Sequence, residues 1–394
     1  MAGGGTYVEL SWAPDFARGG GRRRQAARYR AFLPSPIGDD EPVLESATAA
    51  LAERAGTAVR ELNAESSSLI PLEGLGRQLL RSEALASSQI EGLSISHREL
   101  AEADLAGRAG PHRAAEILGA IRAMESAMEV GDQADPLDVQ TIAKLHAELS
   151  TVPPLDRIAG QIRKEASWIG GPDPPTAEYV GPPAEEVEPL LEDLCEFVNR
   201  DDVSPVTQAA IAHAQFESIH PFGDGNGRVG RCLIHVIFHR RGLAPHYVPP
   251  ISLVMGANKD AYIAGLEGYR AGRLDEWVGY LARAVEVAAA RAAEFSAAVA
   301  ALQEEWRERV EPVRRDSAVL PLIDLLSEYP VITAAVAEQR IDRTRPATLA
   351  ALARLAEVGA LKRHRNQKLG DSWEARELFT LLKRFEDAAR LPAS

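Results

Sequence analysis

The chain has 394 residues, of which 45% are hydrophobic and 6% aromatic, and its net charge is −13. This size allows two or three domains, and the low aromatic content favours a mainly helical protein. The negative charge argues against a protein that coats nucleic acid. The sequence contains no run of 18 apolar residues, so no membrane-spanning helix is predicted. The first residues lack the apolar segment of a secretory signal, and Cys195 and Cys232 are far apart, so we expect a cytoplasmic protein without disulfides.

Composition and apolar spacing divide the chain into five segments. Residues 1–42 are rich in glycine, arginine and proline and are expected to form an arm with little structure of its own. Helical periodicity then predicts a helical region over 43–134 and a compact helical domain over 135–285. A linker helix over 286–315 and a different pattern over 316–394 complete the chain.

The N-terminal region is predicted to contain helices over 43–60, 72–90, 96–106, 111–129 and 135–149. The second of these ends at Gly92, a residue suited to the left-handed position that closes a helix. The last begins at Asp135-Pro136, where a side-chain acceptor precedes a proline.

Residues 150–183 interrupt the helical rhythm. Trp168-Ile169-Gly170-Gly171 and Tyr179-Val180 are short extended pieces separated by prolines, which is typical of an exposed β-hairpin. Helices are again predicted over 184–199, from Ser204-Pro205, and over 228–240, 257–270 and 274–309. The helix over 228–240 is apolar nearly all round, which is typical of a central helix in a bundle.

Three short helices over 320–328, 333–339 and 345–358, followed by a small basic hairpin, predict a winged helix-turn-helix at the C-terminus. Residues 316–394 contain twelve Lys and Arg against eleven Asp and Glu, a charge of only +1, so the rest of the chain carries −14. Candidate contacts to DNA are polar residues of the third helix and of the wing: Arg343, Arg345, Thr348, Arg354, Lys362, Arg363, Arg365 and Lys368.

The stretch His220-Pro-Phe-Gly-Asp-Gly-Asn-Gly-Arg-Val-Gly-Arg231 concentrates glycines, a carboxylate, an imidazole and two arginines between two predicted helices. Gly225-Asn226-Gly227 at a helix start lets main-chain N–H groups converge on an anion, helped by the helix dipole. Arg228 and Arg231 lie three residues apart on one helix face and can contact phosphates. The chain lacks the P-loop, protein kinase, His-Glu-x-x-His and Cys-x-x-Cys patterns.

Two further residues of this stretch carry reactive side chains. Asp224 can hold Mg²⁺, which favours a carboxylate together with phosphate oxygens. His220 can accept a proton from an attacking hydroxyl at neutral pH. The remaining histidines of the chain are interpreted as structural.

The motif His-x-Phe-x-Asp-Gly-Asn-Gly-Arg-x-x-Arg at 220–231 resembles the signature of Fic-domain proteins at every specified position. The resemblance implies an all-α Fic fold, a helical bundle with a small β-hairpin flap, plus a C-terminal winged helix-turn-helix. It implies a protein adenylyltransferase that moves AMP from ATP to a Ser, Thr or Tyr hydroxyl of a target protein, with Mg²⁺. By this resemblance His220 is the general base that accepts the proton, and Asp224 holds the metal ion. The residues that bind the nucleotide phosphates are Gly223, Gly225, Asn226, Gly227, Arg228 and Arg231. Tyr262 is expected near the adenine base of the nucleotide.

The resemblance extends to two other segments. Trp168, Ile169, Gly170 and Gly171 resemble the flap that docks a target segment by strand addition. Ser87-x-x-x-Glu91-Gly92 resembles an inhibitory motif whose glutamate competes for Arg231 at the γ-phosphate site. Glu91 is also expected, in a second hypothesis, to activate water and remove AMP from modified targets.

Alternatives to AMP transfer stay open. One alternative is a DNA-binding regulator whose Fic domain senses nucleotide. Another is transfer of a different phosphate-linked group, because the motif contacts phosphates and not the nucleotide base. The acceptor is a target protein, which includes the chain itself, and apolar faces on the long helix predict a homodimer.

Overall fold

The computed structural model describes residues 3–13, 26–65, 72–107, 112–133, 135–314, 316–366, 369–389 and 391, with main chain only at 65, 72, 73 and 366. The described residues contain fifteen α-helices: α1 Ser46–Glu65, α2 Leu72–Ile90, α3 His97–Ala106, α4 His112–Asp132, α5 Val139–Leu149, α6 Ala184–Val198, α7 Pro205–Ile219, α8 Asn226–Arg240, α9 Ile251–Ala257, α10 Lys259–Arg270, α11 Leu274–Val310, α12 Val319–Leu326, α13 Ala334–Ile341, α14 Arg345–Glu357 and α15 Arg376–Asp387. Short strands form three sheets: β1 Gly5–Trp12 with β2 Ala27–Pro34, β3 Trp168–Ile169 with β4 Tyr179–Val180, and β5 Val331–Thr333, β7 Gly370–Glu374 and β6 Lys362–Asn366 in that order. None of the helices within these ranges is long and apolar enough to cross a membrane.

The chain forms two compact units. The first comprises Met1–Gly56, Arg122–Leu243 and Lys259–Arg283, and the second comprises Thr57–Ile121, Ala244–Asn258 and Ala284–Ser394. The domain limits drawn from the sequence at 42, 134, 285 and 315 stay predictions.

The core of the first unit is the pair α7 and α8. Nearly every residue of α7 and all of α8 up to Phe238 are buried, because both helices are covered on several sides. Gly230 allows this close approach, since a Cβ atom there would lie 3.0 Å from the ring of Phe216. Trp277 fixes a third element to this pair by donating from Nε1 to the carbonyl of Ala210 at 2.7 Å.

The N-terminal segment differs from the expected arm. Gly5–Trp12 and Ala27–Pro34 pair as antiparallel strands, and Ala31 and Phe32 are buried, so the expectation of little structure is wrong for these residues. The strand signals are weak because β1 and β2 are far apart in sequence and Gly-rich chain lies between them. The arginine run at 22–24 lies outside the described residues.

Two predicted helix starts are also corrected. The helix expected from Asp135 begins at Val139, because the Asp138 carboxylate accepts the main-chain N–H of Thr141 at 2.7 Å and acts as the N-cap. The helix expected over 257–270 begins at Lys259 as α10, and a separate short helix that was not predicted, α9, ends just before it at Ala257.

The second unit is held together by buried charged groups as well as by apolar packing. Arg77 and Arg81 of α2 both bind the carboxylate of Asp104, and Arg77 also reaches Glu328 at 3.1 Å. The buried carboxylate of Glu83 accepts the N–H and hydroxyl of Ser252, at the start of α9, at 2.7 and 2.6 Å.

The C-terminal part of the second unit consists of α12, α13 and α14, a three-stranded antiparallel sheet and α15. Thr348, predicted to contact DNA, is fully buried, and its hydroxyl donates to the carbonyl of Thr344 at 3.1 Å. That prediction is wrong, because the threonine faces the interior of the helical layer. Lys368 lies outside the described residues.

Candidate active site

The candidate base His220 terminates α7. Its main-chain φ of 51° is in the left-handed region, and its N–H donates to the carbonyl of Phe216 at 2.9 Å. This conformation turns the chain away from the helix axis and leaves the imidazole at the rim of the connection to α8. The side chain is 16% exposed, so it is accessible from outside while still held by its surroundings.

A buried carboxylate lies behind the imidazole. Oε2 of Glu217, one turn earlier in α7, lies 3.8 Å from Nδ1 of His220. This separation exceeds a hydrogen bond, but a nearby negative charge favours the imidazolium that forms when the ring accepts a proton.

Asn226 closes the loop that follows His220. Its side-chain oxygen accepts the N–H of Phe222 at 2.8 Å, and its side-chain nitrogen donates to the carbonyl of the same residue at 2.8 Å. The side chain of Asn226 therefore shapes the loop, while the sequence assigned the main chain of this residue to the phosphates. Its main-chain N–H belongs to the first turn of α8, where N–H groups have no acceptor within the helix and can bind an anion.

Gly225 is the residue of this loop whose backbone requires glycine. Its φ is 80°, and a Cβ atom would lie 2.8 Å from the side chain of Leu149. Gly223, by contrast, is exposed and has no positive φ, so its predicted role at the nucleotide is not imposed by backbone geometry. Asp224 between them has an exposed side chain, and its Oδ1 accepts the N–H of Gly225 at 2.5 Å.

Arg228 is the clearest sign of an anion site. Its side chain is 4% exposed, and its Nη2 lies 3.4 Å from Oδ1 of Asp224. Within the described ranges, its Nε and Nη1 atoms are buried and have no hydrogen-bond partner. Buried guanidinium N–H groups normally have acceptors, so these two atoms are suited to a ligand such as phosphate.

Arg231 lies one turn further along α8 and is almost fully buried. Its Nη1 is 3.5 Å from the hydroxyl of Tyr262, which is also 2.9 Å from Nε2 of His213. The ring of Tyr262 is buried against His213 and Trp277, so it offers no open face to a nucleotide base. The hydroxyl of Tyr262 faces Arg231 and His213, and the predicted place of Tyr262 near a nucleotide base stays a prediction.

His213 gives this core a measurable pH dependence. Burial, followed by the positive charge of Arg231, lowers the pKa of His213 to about 3, while the neighbouring His235 opposes the charged form as well. The unfolded chain gains this proton below pH ~6.5 and the folded chain does not, so stability is full above ~6.5 and is lost as the pH falls.

We therefore expect His213→Gln to weaken the loss of stability in acid. Between pH 6 and 4 the free energy of unfolding should fall with pH in both proteins. The slope of the variant should be smaller than that of wild type by about 1.4 kcal/mol per pH unit. Urea unfolding at both pH values measures this difference, and carboxylates shared by the two proteins cancel. Equal slopes would contradict a neutral buried imidazole.

His146 supports the loop from α5 and was interpreted from the sequence as structural only. Its Nδ1 accepts the N–H of Gly160 at 2.9 Å, so Nε2 carries the proton and donates to the carbonyl of Asp224 at 3.0 Å. Its ring stacks on Phe222 at 3.9 Å, and burial lowers the pKa of His146 to about 4. It positions the loop from 78 residues away, which no local pattern indicates.

The β-hairpin predicted for the flap is present, while its role in docking a target stays a prediction. Trp168 pairs with Val180 and Ile169 with Tyr179, and the side chains of Trp168 and Ile169 are exposed. Gly170 and Gly171 have φ values of 72° and 70° at the turn. A cleft of about 860 Å³ beside the flap is lined by the preceding segment, by the flap, by α6 and by the loop: Ile158, Gly160, Gln161, Ile162, Arg163, Lys164, Glu165, Ala166, Ser167, Trp168, Glu188 and Gly223.

The predicted inhibitory motif lies at the end of α2, in the second unit. Gly92 has a φ of 83°, and the N–H of Leu93 donates to the carbonyl of Ser88 at 2.9 Å, which confirms the left-handed helix end. Ser87 is buried and Glu91 is exposed. The inhibitory role of these residues stays a prediction.

The residues present fit a magnesium ion bound partly by phosphate. No cluster of three or more His, Cys, Asp or Glu suited to a metal occurs in the part of the chain that the structure describes. Asp224 nevertheless exposes a carboxylate at the mouth of the anion site, and Mg²⁺ commonly uses one or two carboxylates with phosphates and water.

Comparison with known proteins agrees with this geometry. Residues 136–238 match the Fic/DOC family, and residues 49–129 match the Fic/DOC family N-terminal region. Protein adenylyltransferase fic-1 of Caenorhabditis elegans is 30% identical over 161 residues, which are 40% of this chain and 29% of that protein. Protein adenylyltransferase Fic of Drosophila erecta is 32% identical over 138 residues, 34% of this chain and 26% of that protein.

The fold has a counterpart among solved structures. A Fic family protein from Desulfovibrio desulfuricans superposes with a TM-score of 0.53 at 20% identity, over 85% of this chain and 97% of that one. The present chain spans less than a third of the length of the two adenylyltransferases above. Residues 136–238 of this chain therefore match a Fic domain, and residues 49–129 match the N-terminal region of Fic/DOC proteins.

Proposed function

We propose that this chain is a protein adenylyltransferase that transfers AMP from ATP to a hydroxyl group of a protein. The main support for the proposal comes from Arg228 at the start of α8. Its Nε and Nη1 atoms are buried and have no hydrogen-bond acceptor among the described residues. The left-handed Gly225 precedes the first-turn N–H groups of the same helix, and His220 ends the helix on the other side of the loop. The named adenylyltransferase relatives supply the choice of AMP as the transferred group.

The proposed reaction uses these groups as follows. His220 accepts the proton of the acceptor hydroxyl group while the oxygen of that hydroxyl group bonds to the α-phosphorus of ATP. The bond between the α-phosphorus and the bridging oxygen breaks, and pyrophosphate leaves with its charge balanced by Arg228 and Arg231. Mg²⁺ bound by Asp224 and phosphate oxygens would neutralise further charge on the triphosphate.

The flap is proposed to hold the acceptor. Its outer strand β3 carries the exposed Trp168 and Ile169, and its only partner within the described sheet is β4. An extended segment can add to such an edge through main-chain hydrogen bonds, which accept many sequences.

Labelled nucleotides test the transferred group directly. Added to a cell lysate, the purified chain should increase the labelling of protein from ATP labelled at the α-phosphate, and it should not increase the background that lysate kinases give from ATP labelled at the γ-phosphate. UTP labelled at the α-phosphate tests the alternative of UMP transfer under the same conditions. Labelling from the γ-position alone would exclude AMP transfer, and mass spectrometry of the labelled protein identifies the acceptor residue.

We propose that Glu91 inhibits the transfer by competing for the γ-phosphate position of Arg231, as the sequence motif implies. Glu91→Gly is then expected to raise AMP incorporation by up to about 100-fold, because a misaligned triphosphate loses its in-line geometry. The initial rate of label incorporation from α-labelled ATP measures the effect.

Two variants control this experiment. Glu91→Gln removes the charge without changing the backbone and should also activate, whereas Gln89→Gly makes the same glycine change at an exposed neighbour and should not. Equal rates in wild type and Glu91→Gly would refute the inhibitory role. Removal of AMP by Glu91 stays a prediction.

We infer that residues 316–394 form a winged helix-turn-helix, on the basis of three helices, a β5-β7-β6 sheet and α15. DNA binding by this module is a weaker proposal, because Arg345 pairs with Glu338 at 3.3 Å and Arg363 with Asp371 at 2.5 Å. Salt-dependent binding of duplex DNA by the whole chain would support it. The homodimer stays a prediction.

A further inference from the structure

Arg163 makes a set of contacts that the reaction scheme does not use. It lies between the short helix Leu155–Ile158 and β3, and its side chain is buried. The guanidinium donates four hydrogen bonds, all to main-chain carbonyls: Nε to His220 at 2.8 Å, Nη1 to Glu165 at 2.8 Å, and Nη2 to Pro182 at 2.8 Å and Ile219 at 3.2 Å.

These acceptors belong to two functional segments. Glu165 and Pro182 stand on either side of the flap strands Trp168–Ile169 and Tyr179–Val180. Ile219 and His220 are the end of α7 and the candidate base. The main-chain N–H of Arg163 adds a bond to the carbonyl of Pro221 at 2.9 Å. One residue therefore connects both ends of the flap to the main chain of the base.

The end of α7 explains why a cation is stable here. The last carbonyls of a helix have no partner within it and carry the negative end of its dipole. The left-handed His220 leaves the carbonyls of Ile219 and His220 directed at Arg163. The flap contributes a second donor, because the hydroxyl of Tyr179 binds the carbonyl of Ser218. Burial lowers the pKa of Arg163 only to about 10, so it remains charged at neutral pH.

We propose that Arg163 is a positioning residue that fixes the place of the target-docking flap relative to His220. This inference rests on the proposed roles of the flap and of the base. Arg163 makes none of its hydrogen bonds to Gly225–Arg231, where the phosphates would bind. Its loss should therefore misplace the acceptor hydroxyl without weakening ATP binding.

Lysine is a conservative but incomplete replacement. Its ammonium group donates three hydrogen bonds from one atom, whereas the planar guanidinium reaches four carbonyls in different directions. Arg163→Lys should keep the charge at the end of α7 and lose part of the connection, and Arg163→Met should lose all four side-chain hydrogen bonds. Arg157→Met, an exposed arginine on the neighbouring short helix, is the matched control.

Autolabelling with α-labelled ATP separates positioning from binding. We expect the maximal rate to fall about tenfold in Arg163→Lys and about 100-fold in Arg163→Met. The ATP concentration that gives half the maximal rate should stay within about twofold of wild type. The control should match wild type in both quantities. The proposal would be contradicted if the ATP concentration that gives half the maximal rate increased by the same factor as the maximal rate decreased.

Hydrogen exchange tests the connection without any need for AMP transfer. In Arg163→Met the amides of Glu178 and Gly181, which bond across the flap, should exchange faster, together with those of His220 and Phe222, while α8 stays protected. If wild type transfers no AMP but this pattern appears, the proposed function fails and the positioning role stands. Unchanged exchange in both segments, or loss of protection throughout α7 and α8 in both variants, would overturn it.

Discussion

Replacement of His220 by asparagine is expected to lower AMP transfer by about 100- to 10,000-fold, the usual contribution of a positioned general base. An amide cannot accept the proton of the attacking hydroxyl at neutral pH. The carboxylate of Glu217, 3.8 Å from Nδ1, would lose the imidazolium that it stabilises. Nucleotide affinity should stay the same, because the phosphates are proposed to bind at the start of α8.

Asparagine is a better substitute than alanine at this position. His220 has a φ of 51°, and left-handed backbone costs most residues about 1–2 kcal/mol, whereas asparagine adopts it readily. The turn between α7 and α8 should therefore survive in His220→Asn, so that a loss of activity reports on chemistry rather than on folding.

The measurement is the rate of label incorporation from α-labelled ATP, together with binding of a fluorescent ATP analogue. His246→Asn is the matched control, since His246 is exposed and belongs to the second unit. Retention of more than half of the wild-type rate in His220→Asn would show that another group takes the proton.

Sequence patterns predicted those features of the site that depend on neighbouring residues. The His220–Arg231 motif, the helix that follows it and the flap strands with their glycine turn lie within a few residues of their own signals. The left-handed end of α2 at Gly92 follows from the same local chemistry.

Residues that act across the fold were missed. Arg163 binds carbonyls 56 and 57 residues away, and His146 binds one 78 residues away. A single buried arginine or histidine has no periodicity, so only the tertiary structure shows its partners. The side-chain contacts of Asn226 and Tyr262 were missed as well, because a motif names residues near a ligand without showing which protein groups their side chains hold.

Replacement of Arg228 by methionine is expected to separate stability from function. Methionine has a similar length and no charge, and it removes two buried nitrogen atoms that have no acceptor among the described residues. Exchange of a buried charge for an apolar side chain is often neutral or stabilising, so the free energy of unfolding should be equal to or above that of wild type. AMP transfer should fall by about 100- to 1,000-fold, because a donor to the triphosphate is lost.

Arg241, just beyond the other end of α8, provides the opposite case. Its guanidinium donates to the carbonyls of Val203 at 2.8 Å and Asp201 at 2.6 Å, and to the side chain of Gln208 at 2.9 Å. Arg241→Met should lower the free energy of unfolding by about 1–3 kcal/mol, because acceptors lose their donor, with ATP affinity unchanged. Urea unfolding and ATP titration of both variants test this contrast. If Arg228→Met lowers the free energy of unfolding and leaves ATP affinity normal, Arg228 has a structural role. The main support for a phosphate site is then lost, because the unpartnered Nε and Nη1 atoms of Arg228 are the observation that implies a ligand at the start of α8.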